Sequence, residues 1–295
     1  MIMIQSAGKR FREALKEQSP LQIIGVINAY SAIQAEKTGA KALYISGAGV
    51  ANASYGLPDI GMTMLEDVCI DIRRITGRSD LPLLVDADTG WGGAFNIART
   101  IKEMTKAGAA GCHIEDQVAQ KRCGHRPNKE LVSTEEMCDR IKAAVDAKID
   151  PDFVVMARTD AHASEGQAAA LARAHAYVAA GADMIFAEAI HTLKEYEDFT
   201  NEIKVPVLAN ITEFGATPMF TVEELASVGI SMVLYPLSGF RAMNKAALDV
   251  FKSIINEGSQ NSTLEIMQTR MELYDMLDYH SYEEKLDALF SKDKK

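Results

Sequence analysis

Apolar residues in this chain fall in short runs, separated by longer stretches with helical spacing. The runs read QIIGVINA, KALYISGAG, LPLLVDADTG, AGCHIEDQ, FVVMARTD, MIFAEA, VPVLANIT and MVLYPL. Each is of strand length and rich in Val, Ile and Leu, the pattern of strands covered on both faces of a parallel sheet. Between them, GAFNIARTIKEMTKAGA, TEEMCDRIKAAVDA and QAAALARAHAYVAAGA place apolar residues three and four apart. Two of these end in Ala-Gly-Ala, where glycine suits a helix stop. The alternation predicts a closed (β/α)8 barrel of the TIM type, one domain over residues 1–295. A doubly wound open sheet is disfavoured because no GxGxxG turn follows the first run. A solenoid is disfavoured by the uneven period of the units.

The pattern continues past the eighth run. GFRAMNKAALDVFKSIINEG reads as its helix, and STLEIMQTRMELYDMLDYHSYEEKLDALF adds a helical tail over about 258–290. Leu264, Met267, Met271 and Tyr274 lie three or four apart and predict an apolar stripe. A closed barrel has little internal use for it. The tail is expected to pack on a neighbouring subunit, with cover for its own barrel floor as the alternative.

Composition narrows the partners. The 295 residues are 47% hydrophobic, enough for a substantial core. The net charge of −10, with no long basic stripe, argues against nucleic acid. No apolar run approaches the ~18 residues of a membrane span. The N-terminal stretch has no apolar signal core, and the four cysteines, Cys69, Cys112, Cys123 and Cys138, form no CxxC pair. A reduced cytoplasmic setting without disulfides is expected. A zinc site is poorly supported, since His125 stands too close to Cys123 for the usual half-site.

The candidate chemistry sits where the runs end, the face on which barrel enzymes carry their active sites. Asp86 and Asp88 are two apart, so both leave the strand on one side. Paired carboxylates there suit a magnesium ion, which takes oxygen ligands and keeps waters for substrate to replace; a water-exposed cap or loop pair is the alternative. His113 with Glu115, Arg158 with Asp160, and Asn210 with Thr212 repeat the spacing, and Glu188 ends the sixth run. Each alone could be a structural polar group; together they gather at the ends of strands three to seven. The small residues of YISGAGV would let a ligand approach the backbone, or simply make a tight turn. KRCGHRPN lies in a long loop after the fourth run, where lids are often found. Lys121, Arg122 and His125 would favour the thiolate of Cys123, unless the charges are a solvated surface run and the thiol is incidental.

The stretches KRCGH, VDADTGWG, HIEDQ, MARTDA and ANITEFGATP resemble the isocitrate lyase/phosphoenolpyruvate mutase superfamily, with the likeness running from FREAL to YEEKL, nearly the whole chain. Within it, the match is nearest to members that cleave 2-methylisocitrate. Isocitrate-cleaving members are longer and typically carry lysine at the place of Arg122, and the phosphonate-making mutases generally lack the thiol. The resemblance implies Mg2+-dependent cleavage of (2S,3R)-2-methylisocitrate to pyruvate and succinate, in propionate breakdown by the methylcitrate cycle. It implies a homotetramer with C-terminal helices exchanged between subunits. By matched position it implies Asp86 and Asp88 as metal ligands with Glu115 supporting. It implies substrate contacts from Ser46, Gly47, Ala48, Cys123, Gly124, Arg158, Glu188, Asn210, Thr212, Arg241 and Arg270. Ala48 departs from the glycine the family often has, and its methyl could tighten the approach.

Retro-aldol cleavage needs charge stabilisation as the hydroxyl deprotonates and a proton donor for the new carbanion. Cys123 is the expected general acid and Arg158 the expected carboxylate and alkoxide partner. Tyr44 and Asp59 are the candidate bases. Phe186 and Leu234 could line a pocket for the extra methyl, worth only ~1–3 kcal/mol of discrimination. Isocitrate lyase, oxaloacetate decarboxylase, a phosphonopyruvate mutase or hydrolase, and a non-catalytic carboxylate-binding barrel are the alternatives.

Overall fold

The computed structural model describes residues 5–122, Gly124 and residues 129–290. All eight runs form parallel strands: β1 (Leu21–Gly25), β2 (Ala42–Ile45), β3 (Leu83–Asp86), β4 (Gly111–Glu115), β5 (Val154–Thr159), β6 (Met184–Ala187), β7 (Val207–Asn210) and β8 (Met232–Tyr235). They close into a barrel in sequence order, with β8 pairing back on β1. The predicted helices lie over Ala94–Lys106, Thr134–Asp146 and Gln167–Ala179. The expected (β/α)8 fold is therefore the observed one.

Side-chain direction in the barrel follows the period of two. Leu84, Val154, Met156, Met184, Phe186, Leu208 and Leu234 fill the interior, all essentially buried. Val85, Cys112, Ile114, Val155, Ala157, Ile185 and Ala209 point outward into the layer beneath the helices. Extending the inward set by two residues reaches Asp86, Arg158, Glu188 and Asn210. The same alternation that builds the core thus delivers the polar groups to the mouth. Strand register fixes which of them meet: Asp86 pairs with His113 and Glu115 pairs with Arg158.

The barrel floor is closed by a helix that precedes the first strand. Ala7–Glu17 is capped by the Ser6 hydroxyl, which accepts from the Lys9 N–H. Its Phe11 and Ala14 join the interior cluster with Leu21, Ala110 and Val154. Arg12 donates to the Asp152 carbonyl at 2.9 Å and to Asp183 at 2.8 Å, tying the helix to the lower rim. Gly8 lies so close that an added Cβ would stand 2.4 Å from the Asp152 carbonyl carbon. The sequence pattern, read from the first strand onward, did not include this helix.

The chain divides into two compact units, Met1–Ser238 and Gly239–Lys295. The helix Ser238–Glu257 runs into the second, which continues with a 3-10 segment, Asn261–Ile266, and helices Arg270–Leu277 and Tyr279–Phe290. The expected stripe through Leu264, Met267, Met271 and Tyr274 is broken. Met267 is extended, and Thr269 caps a new helix with Glu272 as its capping-box partner. The TxxE spacing that starts this helix competes with the apolar periodicity and prevails. Among the described residues, no helix is long and apolar enough to cross a membrane.

Phe11→Ala is expected to cost about 3–5 kcal/mol, as removal of a fully enclosed aromatic side chain does. Guanidinium denaturation checks this; an unchanged midpoint would mean that the N-terminal helix does not seal the barrel.

Candidate active site

Asp86, on the last residue of β3, is gripped by backbone. Its Oδ2 accepts from the Gly47 N–H and its Oδ1 from the Asp88 N–H, both at 3.0 Å. The small-residue turn after β2 does bind a carboxylate, but it is the protein's own. An added Cβ at Gly47 would stand 3.1 Å from Asp88 Oδ1 and 3.2 Å from Asp86 Oδ2, so glycine is what lets the turn approach both acids. Asp88 has φ of 45°, a left-handed conformation that aspartate tolerates better than most residues. Strain of this kind collects at functional sites.

Lys121 answers the two acids. It is buried, lies 2.7 Å from Asp88 Oδ1, and pairs with Asp59. The ammonium is thus the buried charged partner of Asp88 Oδ1. Burial pushes Asp88 up to about 7, against Lys121 and with the help of Asp86. Asp86 goes the other way, to about 2. Burial would raise it, and His113, Lys121, Arg158 and the Asp88 N–H outweigh that. His113 is itself pushed down to about 4 by burial, so it is neutral at pH 7 and the two fixed cations carry the effect. The neighbouring acids raise Lys121 despite its burial.

Arg158 occupies the opposite side. Its Nε donates to Asp160 Oδ2 at 2.9 Å and its Nη2 to Oδ1 at 3.2 Å. Glu115 lies 3.4 Å away and Glu188 3.3 Å away. The guanidinium rests 5.1 Å above the Phe186 ring, which also stands edge-on to His113. The residue expected to receive a substrate carboxylate is thus already shared among three of the protein's own. Phe186 and Leu234 lie in the inner core layer below this polar ring. Burial raises Glu115 well above the usual carboxylate range, with Asp160 and Asp86 adding to the rise against Arg158. Its Oε1 is buried without a hydrogen bond.

Tyr44 donates to or accepts from His113 Nε2 at 2.8 Å and lies 3.5 Å from Asp86 Oδ2. Burial and then Asp86 raise its phenol well above 10, so it is protonated at neutral pH. Asp59, the other candidate base, is partly exposed and paired with Lys121. Ser46, Gly47, Asn210 and Thr212 are buried at the strand ends, and Ala48 is half-buried. Asn210 lies 3.4 Å from both Glu188 oxygens. Gly124 belongs to the same place: an added Cβ would stand 2.3 Å from Arg158 Nη2 and 2.7 Å from Glu188 Cγ. Cys123 lies outside the described residues. Arg241 and Arg270 are carried by the second unit. Burial raises the other three thiols, Cys69 to about 11, Cys112 to about 12, and Cys138 to a lesser degree, which leaves them poor nucleophiles.

Two participants were not singled out from the sequence. Asp116, next to Glu115 but facing outward, accepts from Thr159 Oγ1, the Tyr177 hydroxyl and the Asp160 N–H. It anchors the end of β5 from behind. Lys129, buried in the loop after β4, pairs with Asp160 at 2.7 Å. Consecutive acids on a strand signal one carboxylate per face; nothing in the sequence marks the lysine.

The charges do not balance. Among the described residues, buried Asp86, Asp88, Glu115, Asp160 and Glu188 stand against buried Lys121, Lys129 and Arg158. With every carboxylate ionised, two negative charges would be left over, before partly exposed Asp59 is added; in the protein alone Asp88 and Glu115 are pushed towards protonation instead. Uncompensated buried charge is costly, and Glu115 Oε1 is buried without a hydrogen bond. The donor set fits a hard divalent cation.

Comparison with known proteins agrees with this geometry. The sequence profile of the phosphoenolpyruvate phosphomutase family matches residues 11–255. A 2-methylisocitrate lyase of Shewanella oneidensis is 65% identical over 292 residues, covering 99% of this chain and 100% of that relative. A solved 2,3-dimethylmalate lyase has a TM-score of 0.88 at 34% identity, covering 97% of this chain and 96% of its own. Phosphonopyruvate hydrolase, solved with oxalate and Mg2+, has a TM-score of 0.83 at 28% identity, covering 97% and 99%.

Because Asp88 is held near 7, a proton competes with any cation it binds. The affinity for Mg2+ or Mn2+ is expected to fall about tenfold per pH unit below about 7 and to level off above it. Calorimetric titration across that range checks this, and a pH-independent affinity would remove Asp88 from the ligand set.

Proposed function

The chain belongs to the phosphoenolpyruvate phosphomutase family, and we propose that it is a carbon–carbon lyase that cleaves (2S,3R)-2-methylisocitrate to pyruvate and succinate. The observation that carries this reading is the surplus of buried carboxylates at the ends of β3 and β4, set beside an arginine, in a chain 65% identical to a 2-methylisocitrate lyase. Asp86 and Asp88, with Glu115 supporting, would hold Mg2+. When bound, the ion supplies Lewis-acid stabilisation of charge on the keto-acid oxygens.

The chain's own groups do the rest. Lys121 and Arg158 stand on either side of the acids, and with the ion bound they would offer cationic partners to a substrate with three carboxylates. Asp59 takes the hydroxyl proton as its acceptor beside Lys121. Tyr44, a neutral phenol, enters as a donor that steadies the oxygen, or as a base only once it has passed its own proton to His113. The bond between the hydroxyl-bearing carbon and its neighbour then breaks, and the electron pair stays on the succinate fragment. Cys123, the sequence neighbour of Gly124, delivers the proton that quenches this carbanion. Support for that role comes from Gly124, whose backbone lies against Arg158 and Glu188. Ser46, Gly47, Ala48, Asn210, Thr212, Arg241 and Arg270 complete the proposed substrate contacts.

A homotetramer with exchanged tail helices belongs to the same proposal. Exposed Leu264, Met271, Leu286 and Leu289 in the second unit support it.

Release of the 2-oxo acid is the test: pyruvate from 2-methylisocitrate, oxaloacetate or phosphonopyruvate, and glyoxylate from isocitrate. The protein is expected to act on 2-methylisocitrate with Mg2+, far better than on isocitrate, oxaloacetate or phosphonopyruvate, and not after chelation. A preference for any of the other three would overturn the substrate. Cys123→Ser is expected to lose about 10²–10⁴-fold in kcat, as removal of a general acid does, with Mg2+ binding kept. Near-normal turnover would take the acid role from Cys123.

A further inference from the structure

Lys129 is an unusual residue for a surface loop. Its side chain is 2% exposed. Burying an ammonium is costly unless every donor finds a partner, and a loop lysine has water within easy reach. Here the ammonium goes inward, donating to the Gly124 carbonyl and to Asp160 Oδ1, both at 2.7 Å.

Those two acceptors have something in common. Asp160 also takes the two bonds from Arg158, and its backbone N–H is fixed by Asp116. Gly124 lies close to Arg158, in a space too small for a Cβ. Lys129, Asp160, Arg158 and Gly124 therefore form a closed ring of contacts. Within it, Lys129 is the link that ties the backbone beside Cys123 to the carboxylate that orients the guanidinium. The base of the loop is fixed separately: Gln117 exchanges hydrogen bonds with the Arg122 backbone at 2.9 Å. Beyond that clamp, Lys129 holds the Gly124 carbonyl.

We propose that Lys129 is a positioning residue for the lyase reaction, setting Gly124 and Arg158 in register through Asp160. The proposal rests on the reading of the barrel mouth as a lyase site. Lys129 touches none of Asp86, Asp88 or Glu115 in its hydrogen bonds, so its loss separates placement of the loop and guanidinium from metal binding. Without it, Asp160 keeps Arg158 as its one charged partner in the ring and draws the guanidinium to itself. The Gly124 carbonyl then loses its donor.

The experiment compares wild type, Lys129→Met and Lys129→Ala by pyruvate release from 2-methylisocitrate and by Mg2+ titration. A displacement of ~1 Å in such a site costs about 100-fold. Lys129→Met is expected to lose about that much in kcat, with the Mg2+ dissociation constant changed less than about twofold. Ethylammonium added to Lys129→Ala is expected to restore about tenfold of the loss. If methionine prevents folding, Lys129→Gln, which buries no charge and keeps a donor for Gly124, is expected to lose about tenfold. Wild-type kcat in a folded variant, a parallel loss of Mg2+ affinity, or no recovery with ethylammonium would overturn the proposal. None of those results touches the lyase reading, which fails only if the wild-type protein releases no pyruvate.

Discussion

Carboxylates buried at the ends of barrel strands must be answered by positive charge, and this requirement organises the whole upper face. Asp86 accepts two backbone N–H groups and stays ionised because His113, Lys121 and Arg158, with the Asp88 N–H, outweigh its burial. Asp88 and Glu115 lack such complete partners and are pushed towards neutrality in the protein alone. Lys121 is pulled in on one side and Arg158 on the other, each shared among several acids. The remainder has the charge of one divalent cation. Two charges left unmatched away from water would cost several kcal/mol each, so Asp88 and Glu115 are pushed towards protonation in the protein alone, and a divalent ion competes with those protons.

The same face depends on scaffolding that does no chemistry. Asp116 fastens the end of β5 from outside, while Arg158 and Asp160 leave the same strand inward. Phe186 supports the guanidinium from below. The helix Ala7–Glu17 closes the other end of the barrel, its Phe11 and Ala14 packing with the inward-facing apolar layers. Rigid support of this kind is what keeps catalytic groups within the fraction of an ångström that positioning demands.

Much of this was legible in the sequence. The eight strands announced themselves because a parallel strand covered on both faces is apolar throughout, and the polar residues that break the pattern mark its mouth end. Asp86, Asp88, Glu115, Arg158, Glu188 and Asn210 were found by that break. Their pairings were not, since they depend on the register between strands: Arg158 reads as an open hand for substrate until Glu115, Asp160 and Glu188 are seen around it. Phe11 and the helix that bears it were passed over because closing a barrel floor is a tertiary task with no local signature. Lys129 was invisible for a like reason, being a lone cation whose burial the loop alone decides. The tail stripe failed at Met267 because a capping box at Thr269 set the helix start.

The central claim is that the surplus of two buried negative charges is a seat for one divalent ion. Equilibrium titration with Mn2+, followed by the loss of its free-ion electron paramagnetic resonance signal, tests it most directly. One ion bound per chain, with that binding abolished in Asp86→Asn, is the result the account predicts. No saturable binding, or binding that survives the substitution unchanged, would contradict it.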